Sequence, residues 1–249
     1  MKGEKGLLID VRKLKRIYRQ GAIEVQALRG VDLQIEAGEF TCLAGASGSG
    51  KTTLLNLIGC LDEPTEGEVF VDGVEVSALS RKEAAEFRLQ KIGFVFQAYN
   101  LIPVLSAYEN AEFVMLLKGA PREERQKAVE KLLDEVGLKE MMDRRPHELS
   151  GGQQQRVAVV RAIAGTPVIV LADEPTANLD SKTSEALLDL MVELNRNHGV
   201  TFLFSSHDPV VIERCRRVVR LDSGQIAEDQ YRQGERKEDV EDGEKESRR

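Results

Sequence analysis

The sequence predicts an α/β fold built on a mainly parallel central sheet, and three stretches carry that prediction. Phe40-Thr41-Cys42-Leu43-Ala44 is a short apolar run that ends in glycines and leads into the helical spacing of Thr52–Ile58. Val168-Ile169-Val170-Leu171-Ala172 is a continuous apolar, mostly β-branched run, the pattern of a central strand covered on both faces. The helix-patterned segment Ser184–Asn195 and the run Val200–Phe204 follow it, giving strand, helix and strand in succession.

The remaining elements take their places around these. Leu7–Val11 and Val31–Ile35 read as strands, and Glu36-Ala37-Gly38-Glu39 as the turn into Phe40. Gly59 reads as the stop of the first helix. From Gly67 to Val76, alternating Val69 and Val71 followed by Asp72-Gly73 predict a hairpin. Residues from about Arg81 to Ile163 are mostly helical in pattern. Within them, between Glu123 and Glu140, Val129, Leu132, Leu133 and Val136 share one helical face, as on an ordinary surface helix. From about Glu228 to Arg249 the chain is dense in charge and nearly free of apolar residues, which predicts a disordered tail over 229–249. There is no internal repeat.

Composition narrows the function classes. The chain has 249 residues, 41% of them hydrophobic and 31% charged, enough for a real core under a well-solvated surface. A formal net charge of −7 argues against nucleic acid as the main partner. Cys42, Cys60 and Cys215 contain no short pair, so they make neither a disulfide framework nor a zinc spacing and suit a reducing cytosol. Met1-Lys2-Gly3-Glu4-Lys5 leads into no secretory apolar region, and no run approaches the roughly 18 apolar residues of a membrane span. Work at a membrane would therefore require docking on something else.

Gly45-Ala46-Ser47-Gly48-Ser49-Gly50-Lys51-Thr52 fits G-x-x-x-x-G-K-[ST] and lies between a strand and a helix, as that pattern requires. The glycines let backbone N–H groups turn inward around phosphates, and the following helix points its positive end at the same anion. Lys51 would reach the β- and γ-phosphates and the Thr52 hydroxyl would ligate Mg²⁺. By itself the loop says only that a nucleoside triphosphate is held. Asp173-Glu174-Pro175 ends the run Val168–Ala172 and places two carboxylates at the C-terminal edge of the sheet, where open α/β sheets bind ligands. Asp173 is the candidate for holding Mg²⁺ through water, and Glu174 the candidate general base for an attacking water. Taken alone, such a pair also reads as an acidic turn ending a strand.

Leu149-Ser150-Gly151-Gly152-Gln153-Gln154-Gln155-Arg156 precedes an apolar-periodic helix, Val157 to Ile163. Ser150 reads as its N-cap, with Gln153 in the capping-box position. Two glycines at a helix start also expose N–H groups to an anion, which makes a second phosphate-binding element in a chain that already has one.

Ser150-Gly151-Gly152-Gln153, about twenty residues before Asp173-Glu174, resembles the signature of the ABC transporter ATPases. The other marks of that family occur in order. Gln97 matches its Q-loop glutamine, Asn178-Leu179-Asp180 resembles its D-loop, His207 matches its switch histidine, and Tyr18 is placed like the aromatic that stacks on adenine. Two bland alternatives stay open, a structural histidine after a strand and an aromatic that merely packs. The departures are small: Ala46 stands where proline is frequent, and Ala177-Asn178 replaces a common small-residue pair.

The resemblance covers about residues 7–228 and implies a P-loop NTPase of the ABC ATPase type. In it the parallel sheet carries an antiparallel β subdomain and an inserted α-helical subdomain at about 98–165, the ATP-binding domain spanning 1–228. It implies ATP and Mg²⁺ as ligands, Thr53 and Asp180 beside the nucleotide, Gln97 sensing Mg²⁺ and the transporter, and His207 on the γ-phosphate. It also implies a head-to-tail homodimer, each ATP lying between Gly45–Thr52 of one subunit and Ser150–Gln153 of the other.

Leu55–Asp62 and Ile92–Pro103 further resemble the lipoprotein-releasing and macrolide-exporter type. That implies a separate transmembrane permease and a peripheral place on the cytoplasmic side of the cell membrane. Ala98–Ser106 is where the permease would rest, and Leu101, Ile102, Val104 and Leu105 fit either a docking patch or a buried core. A regulatory ATPase that works a transmembrane partner without transport is the alternative. A non-transport relative acting on DNA or ribosomes is disfavoured by the single cassette, and a GTPase by the lack of Asn-Lys-x-Asp.

Overall fold

Two sheets share a hydrophobic cluster into which the helix after the glycine loop is packed. The structure is a computed structural model that describes residues 6–21 and 23–232. Strands β1 (Leu7–Gln20), β2 (Ile23–Glu36), β4 (Glu66–Val71) and β5 (Val74–Glu75) form an antiparallel sheet of order β2-β1-β4-β5. Strands β3 (Phe40–Ala44), β6 (Ile92–Phe96), β7 (Ile169–Asp173), β8 (Thr201–Ser206), β9 (Arg217–Asp222) and β10 (Gln225–Tyr231) form the second, of order β10-β9-β3-β8-β7-β6. All its pairings are parallel except that of β10, which joins the edge antiparallel.

Successive strand residues point to opposite faces, and the six-stranded sheet divides the core accordingly. Phe40, Cys42, Ala44, Val170, Ala172, Phe202 and Phe204 face one cluster. It is shared with helices α3 (Ala107–Leu117), α4 (Arg122–Glu135), α5 (Gly151–Ala164) and α6 (Ser181–His198). Leu43, Ile169, Leu171, Leu203 and Val219 face the other, with α1 (Lys51–Ile58) and the inner face of the antiparallel sheet. Helices α2 (Arg81–Lys91) and α7 (Pro209–Arg214) complete the fold.

The sequence expectations hold for β3, α1 with Gly59 as its C-cap, the β4–β5 hairpin, β7, α6 and β8. Four differ in extent or type. The first two strands run on to form one long hairpin. Their period-two signal is broken by irregularities between Val11 and Leu14, where Lys13 takes φ 47° and Leu14 is turned inward. Beyond that point, paired charges such as Lys15–Glu66 and Arg19–Glu24 mask the strand. Ile92–Phe96, inside the stretch read as mostly helical, is the edge strand β6. Five apolar residues are too few to separate strand from buried helix by period alone. The helix carrying Val129, Leu132 and Leu133 ends at Glu135, before the expected 140. Finally, strand β10 carries ordered structure past the expected boundary at 228. Its charges are used in the fold, since Asp229 pairs with Arg217 on β9. The rest of the expected tail, 233–249, lies outside the described residues.

Candidate functional site

Register across the parallel sheet sets the site. Ala44 lies beside Ser206, Ser205 beside Asp173, and Asp173 beside Phe96. The four loops that follow β3, β8, β7 and β6 therefore leave one edge side by side. They carry Gly45–Thr52, His207, Glu174 and Gln97, the place where ligands of such sheets bind.

The phosphate loop closes on itself through its lysine. Lys51 is buried, and its Nζ donates to the carbonyls of Gly45 at 2.8 Å and Ala46 at 3.0 Å. Gly50 is the N-cap of α1 at φ 104°, and a Cβ there would lie 2.6 Å from the Ala27 carbonyl oxygen, so only glycine fits. The first turn of α1, with Lys51, Thr52 and Thr53, thus presents its unpaired N–H groups and positive dipole end to the loop. Ser49 is buried behind it, its Oγ without a partner among the described residues. The close approach of Ala27 also locates Tyr18. Tyr18 pairs with Val25, two residues along the same strand from Ala27 and so about 7 Å away. Its ring is partly exposed, stacks under the Arg16 guanidinium at 4.6 Å and donates from its hydroxyl to Asp62 at 2.7 Å. Tyr18 is thus a presented aromatic face and not a core residue.

The Thr52 hydroxyl donates to Asp173 Oδ1 at 3.1 Å. A hydroxyl and a carboxylate converging beside a phosphate cradle are hard oxygen donors. They fit Mg²⁺, which takes one or two protein oxygens and completes its shell with water and substrate phosphate. Glu174 follows in the left-handed region at φ 45°, uncommon for a residue with a side chain and a strain that recurs at functional sites. Its N–H donates to the Ser205 carbonyl at 2.9 Å. Its carboxylate accepts from the Ser206 hydroxyl at 3.0 Å and lies 2.7 Å from Nδ1 of His207. His207 is mostly exposed, so it is not a packed structural histidine, and its partner here is Glu174. The side chain of Gln97 is exposed, and its carbonyl accepts from Asn178 at 2.9 Å.

The second glycine element forms a separate cluster. Ser150 caps α5 through a reciprocal box with Gln153, at 3.3 Å and 2.8 Å. A Cβ on Gly152 would meet Thr183 Cγ2 at 2.4 Å. Thr183 is held by Asp180, the N-cap of α6, whose carboxylate accepts from the Thr183 hydroxyl at 2.6 Å and N–H at 3.0 Å. These hydrogen bonds lower the Asp180 pKa. Among the described residues no hydrogen bond or ion pair joins Ser150–Gln153 to Gly45–Thr53. Within one chain the two glycine elements are therefore not joined by any such bond.

Several residues beside the site escaped sequence reasoning. Ser205 and Ser206 end a buried apolar strand in hydroxyls, a legible signal. Gln155 is a polar residue on the buried stripe of α5, also legible. Asn110 is buried, accepting from the Ile102 N–H and donating to the carbonyls of Ile102, Leu105 and Ser106. It thereby fixes the loop after Gln97, a role visible only in the fold. In that loop Leu101 leans on the core while Val104 is 71% exposed, so the buried-core reading holds for Leu101 and not for Val104.

A phosphate cradle, a hydroxyl–carboxylate pair for Mg²⁺ and a second carboxylate at one sheet edge define a nucleoside-triphosphate hydrolase of the P-loop α/β class. The chain belongs to the ABC transporter family: the family model described as ABC transporter matches residues 28–177. It is 47% identical over 219 residues to an uncharacterized ABC transporter ATP-binding protein of Thermotoga maritima, covering 88% of this chain and 92% of that protein. It is 44% identical to the lipoprotein-releasing system ATP-binding protein LolD of Syntrophus aciditrophicus, covering 88% and 98%. To the macrolide export ATP-binding/permease protein MacB of Wolinella succinogenes it is 45% identical, but spans only 34% of that protein's length. Among solved structures it matches the ATP-binding cassette MJ0796, a dimer in a post-hydrolysis state bound to ADP and Pi. The TM-score is 0.83 and the identity 41%, over 92% of this chain and 100% of that one. MJ0796 is a protein of Methanocaldococcus jannaschii. The chain is an ABC ATPase, its ligands ATP and Mg²⁺. Among the described residues no helix is long and apolar enough to cross a membrane.

Proposed function

We propose that the chain is the ATP-hydrolysing subunit of an ABC transporter of the lipoprotein-releasing or macrolide-exporter branch, docked on the cytoplasmic face of a separate permease. The observation that carries this reading is the separation of the two glycine elements. In a head-to-tail homodimer, Gly45–Thr53 of one protomer and Ser150–Gln153 of the other close on one ATP, so the dimer is the catalytic unit. The identities to LolD and to the ATP-binding part of MacB support the branch. The exposed Val104 and the exposed α3 residues Leu116 and Leu117 fit a permease contact.

Each residue of the cradle has a task in the hydrolysis of ATP by water to ADP and phosphate. Loop amides and Lys51 bind the β- and γ-phosphate oxygens, and Tyr18 offers its ring to the adenine. Thr52, Asp173 and Gln97 would hold Mg²⁺, which when bound neutralises charge on the transferring phosphoryl group. Glu174 takes the proton of the attacking water, since a carboxylate with two bonds accepted retains lone pairs for a third. Ser206 and His207 hold that carboxylate in place, and His207 reaches the γ-phosphate from the same position.

Glu174→Gln keeps the side-chain volume and the bond from Ser206 but removes the base. Turnover is expected to fall by about 10²–10⁴-fold, the usual worth of a general base, while ATP binding survives and the ATP-bound dimer accumulates in size-exclusion chromatography. Parental turnover by this variant would remove Glu174 from the role.

A further inference from the structure

We infer that Gln155 is a positioning residue that ties the signature helix α5 to the hydrolytic loops of its own protomer and so couples the two ATP sites of the dimer. The inference rests on the head-to-tail reading above. Gln155 lies one turn into α5 from Gly151-Gly152 and is fully buried. Its Nε2 donates to the carbonyl of Pro175 at 2.7 Å and to that of Phe96 at 3.3 Å. Pro175 follows Glu174, and Phe96 precedes Gln97. A carboxamide nitrogen carries two hydrogens, and two carbonyl oxygens take both. With acceptors on that side only, the orientation of the amide is determined.

The other end of the side chain is left unsatisfied. Gln155 Oε1 is buried with no partner among the described residues. Its neighbours on the same helical stripe, Ala158, Val159 and Ala162, are apolar. A methionine would fill the space and remove that orphan, but it would leave the Pro175 carbonyl without its donor. The glutamine thus leaves one acceptor unpaired while holding two carbonyls. The loop it grips is already pinned on the other side, where the Glu174 N–H donates to Ser205. The Gln97 turn is likewise bracketed, by Gln155 at Phe96 and by Asn178 at the Gln97 carbonyl. The N-terminus of α5 faces the partner's nucleotide in the dimer, while Glu174 and Gln97 act on the protomer's own. A rotation of α5 on closing over one ATP therefore pulls on both loops of the other site.

Gln155→Met and Gln155→Glu in the full chain test this, since both keep the volume. The methionine variant is expected to lower kcat about thirtyfold, the factor that two lost hydrogen bonds of about 1 kcal/mol each correspond to. Its KM for ATP should stay within about twofold, and its Hill coefficient should fall to 1. The glutamate variant can donate only when protonated, so its activity relative to the parent should rise as pH is lowered, whereas the methionine variant's should not. Hydrogen exchange without nucleotide reads the tie directly: amides of 97–100 and 174–179 should exchange faster in Gln155→Met, with 158–163 unchanged. Unchanged exchange in both loops, a parental kcat and Hill coefficient, or loosening of α5 as a whole would each overturn the inference. A parent chain that hydrolyses no ATP would refute the proposed function instead, and the exchange measurement would still decide for or against the tie.

Discussion

Arg217 joins three segments through one nearly buried guanidinium. From β9 it donates to both oxygens of Asp229 on β10, at 2.9 Å and 2.7 Å, to Glu39 Oε2 at 3.1 Å, and to the carbonyl of Gln34 on β2 at 2.7 Å. The Tyr231 ring covers it at 4.9 Å. Burial works against its charge, but the bond to Asp229 and the fields of Glu39 and Asp229 outweigh it and raise its pKa. Arg217→Met removes the cation and leaves Glu39, only 12% exposed, with the hydrogen bonds from the Glu36 N–H and the Thr41 hydroxyl but without a cation. Asp229, at 36%, regains water and counts for less. Breaking a buried pair costs about 3–5 kcal/mol, and the partial exposure of Asp229 and the donors that Glu39 retains put this case near the low end, about 3 kcal/mol. For a chain of this size each kcal/mol moves the melting temperature by about 2–4 °C, so a loss of roughly 6–12 °C is expected by calorimetry. Adding Glu39→Leu removes the stranded charge and should recover at least half of the loss. The reasoning fails if the single variant melts within about 2 °C of the parent, or if the double variant is the less stable of the two.

Two further perturbations probe the site and its surroundings. Gly152→Ala would set a methyl group against Thr183 Cγ2, which cannot turn away without breaking the Thr183–Asp180 bond. Overpacking of about 1–3 kcal/mol transmitted to the signature should lower kcat by about ten- to a hundredfold. Thr183→Ser, which removes Cγ2 and keeps the hydroxyl, should restore much of it, and a second variant no better than the first counts against the contact. Burial pushes the Cys60 thiol up to about 11, with Arg88 acting the other way. The fold therefore favours the neutral thiol, and this contribution is full below the ordinary thiol value of about 8.5. It is lost progressively as pH rises from there toward 11. Mapped iodoacetamide labelling of Cys60 should rise through pH 11, and an inflection near 8.5 would contradict the burial.

Much of the site was legible because its parts are contiguous in the chain. Gly45–Thr52 imposes a local backbone path whatever surrounds it, and Ser150–Gln153 caps its own helix, so each motif carries its geometry within eight residues or fewer. The strands that feed them announced themselves by apolar runs with clear ends. Where period failed, reading failed with it: at the Lys13 irregularity in β1, at the five-residue edge strand β6, and in β10, where charges that read as a tail are ladder and ion-pair partners.

By itself the sequence determined that this protein carries a glycine-rich loop of the phosphate-binding pattern between a strand and a helix, a second glycine element at a helix start and a pair of carboxylates. Those properties depend on residue type and on spacing along the chain. Only the tertiary structure decided which of these groups meet. The order β3-β8-β7-β6 and the parallel register bring Thr52 to Asp173 and His207 to Glu174, and leave Ser150–Gln153 apart from the phosphate loop. Strand order is a property of the packed core, set by which apolar faces bury one another, and no local pattern encodes it.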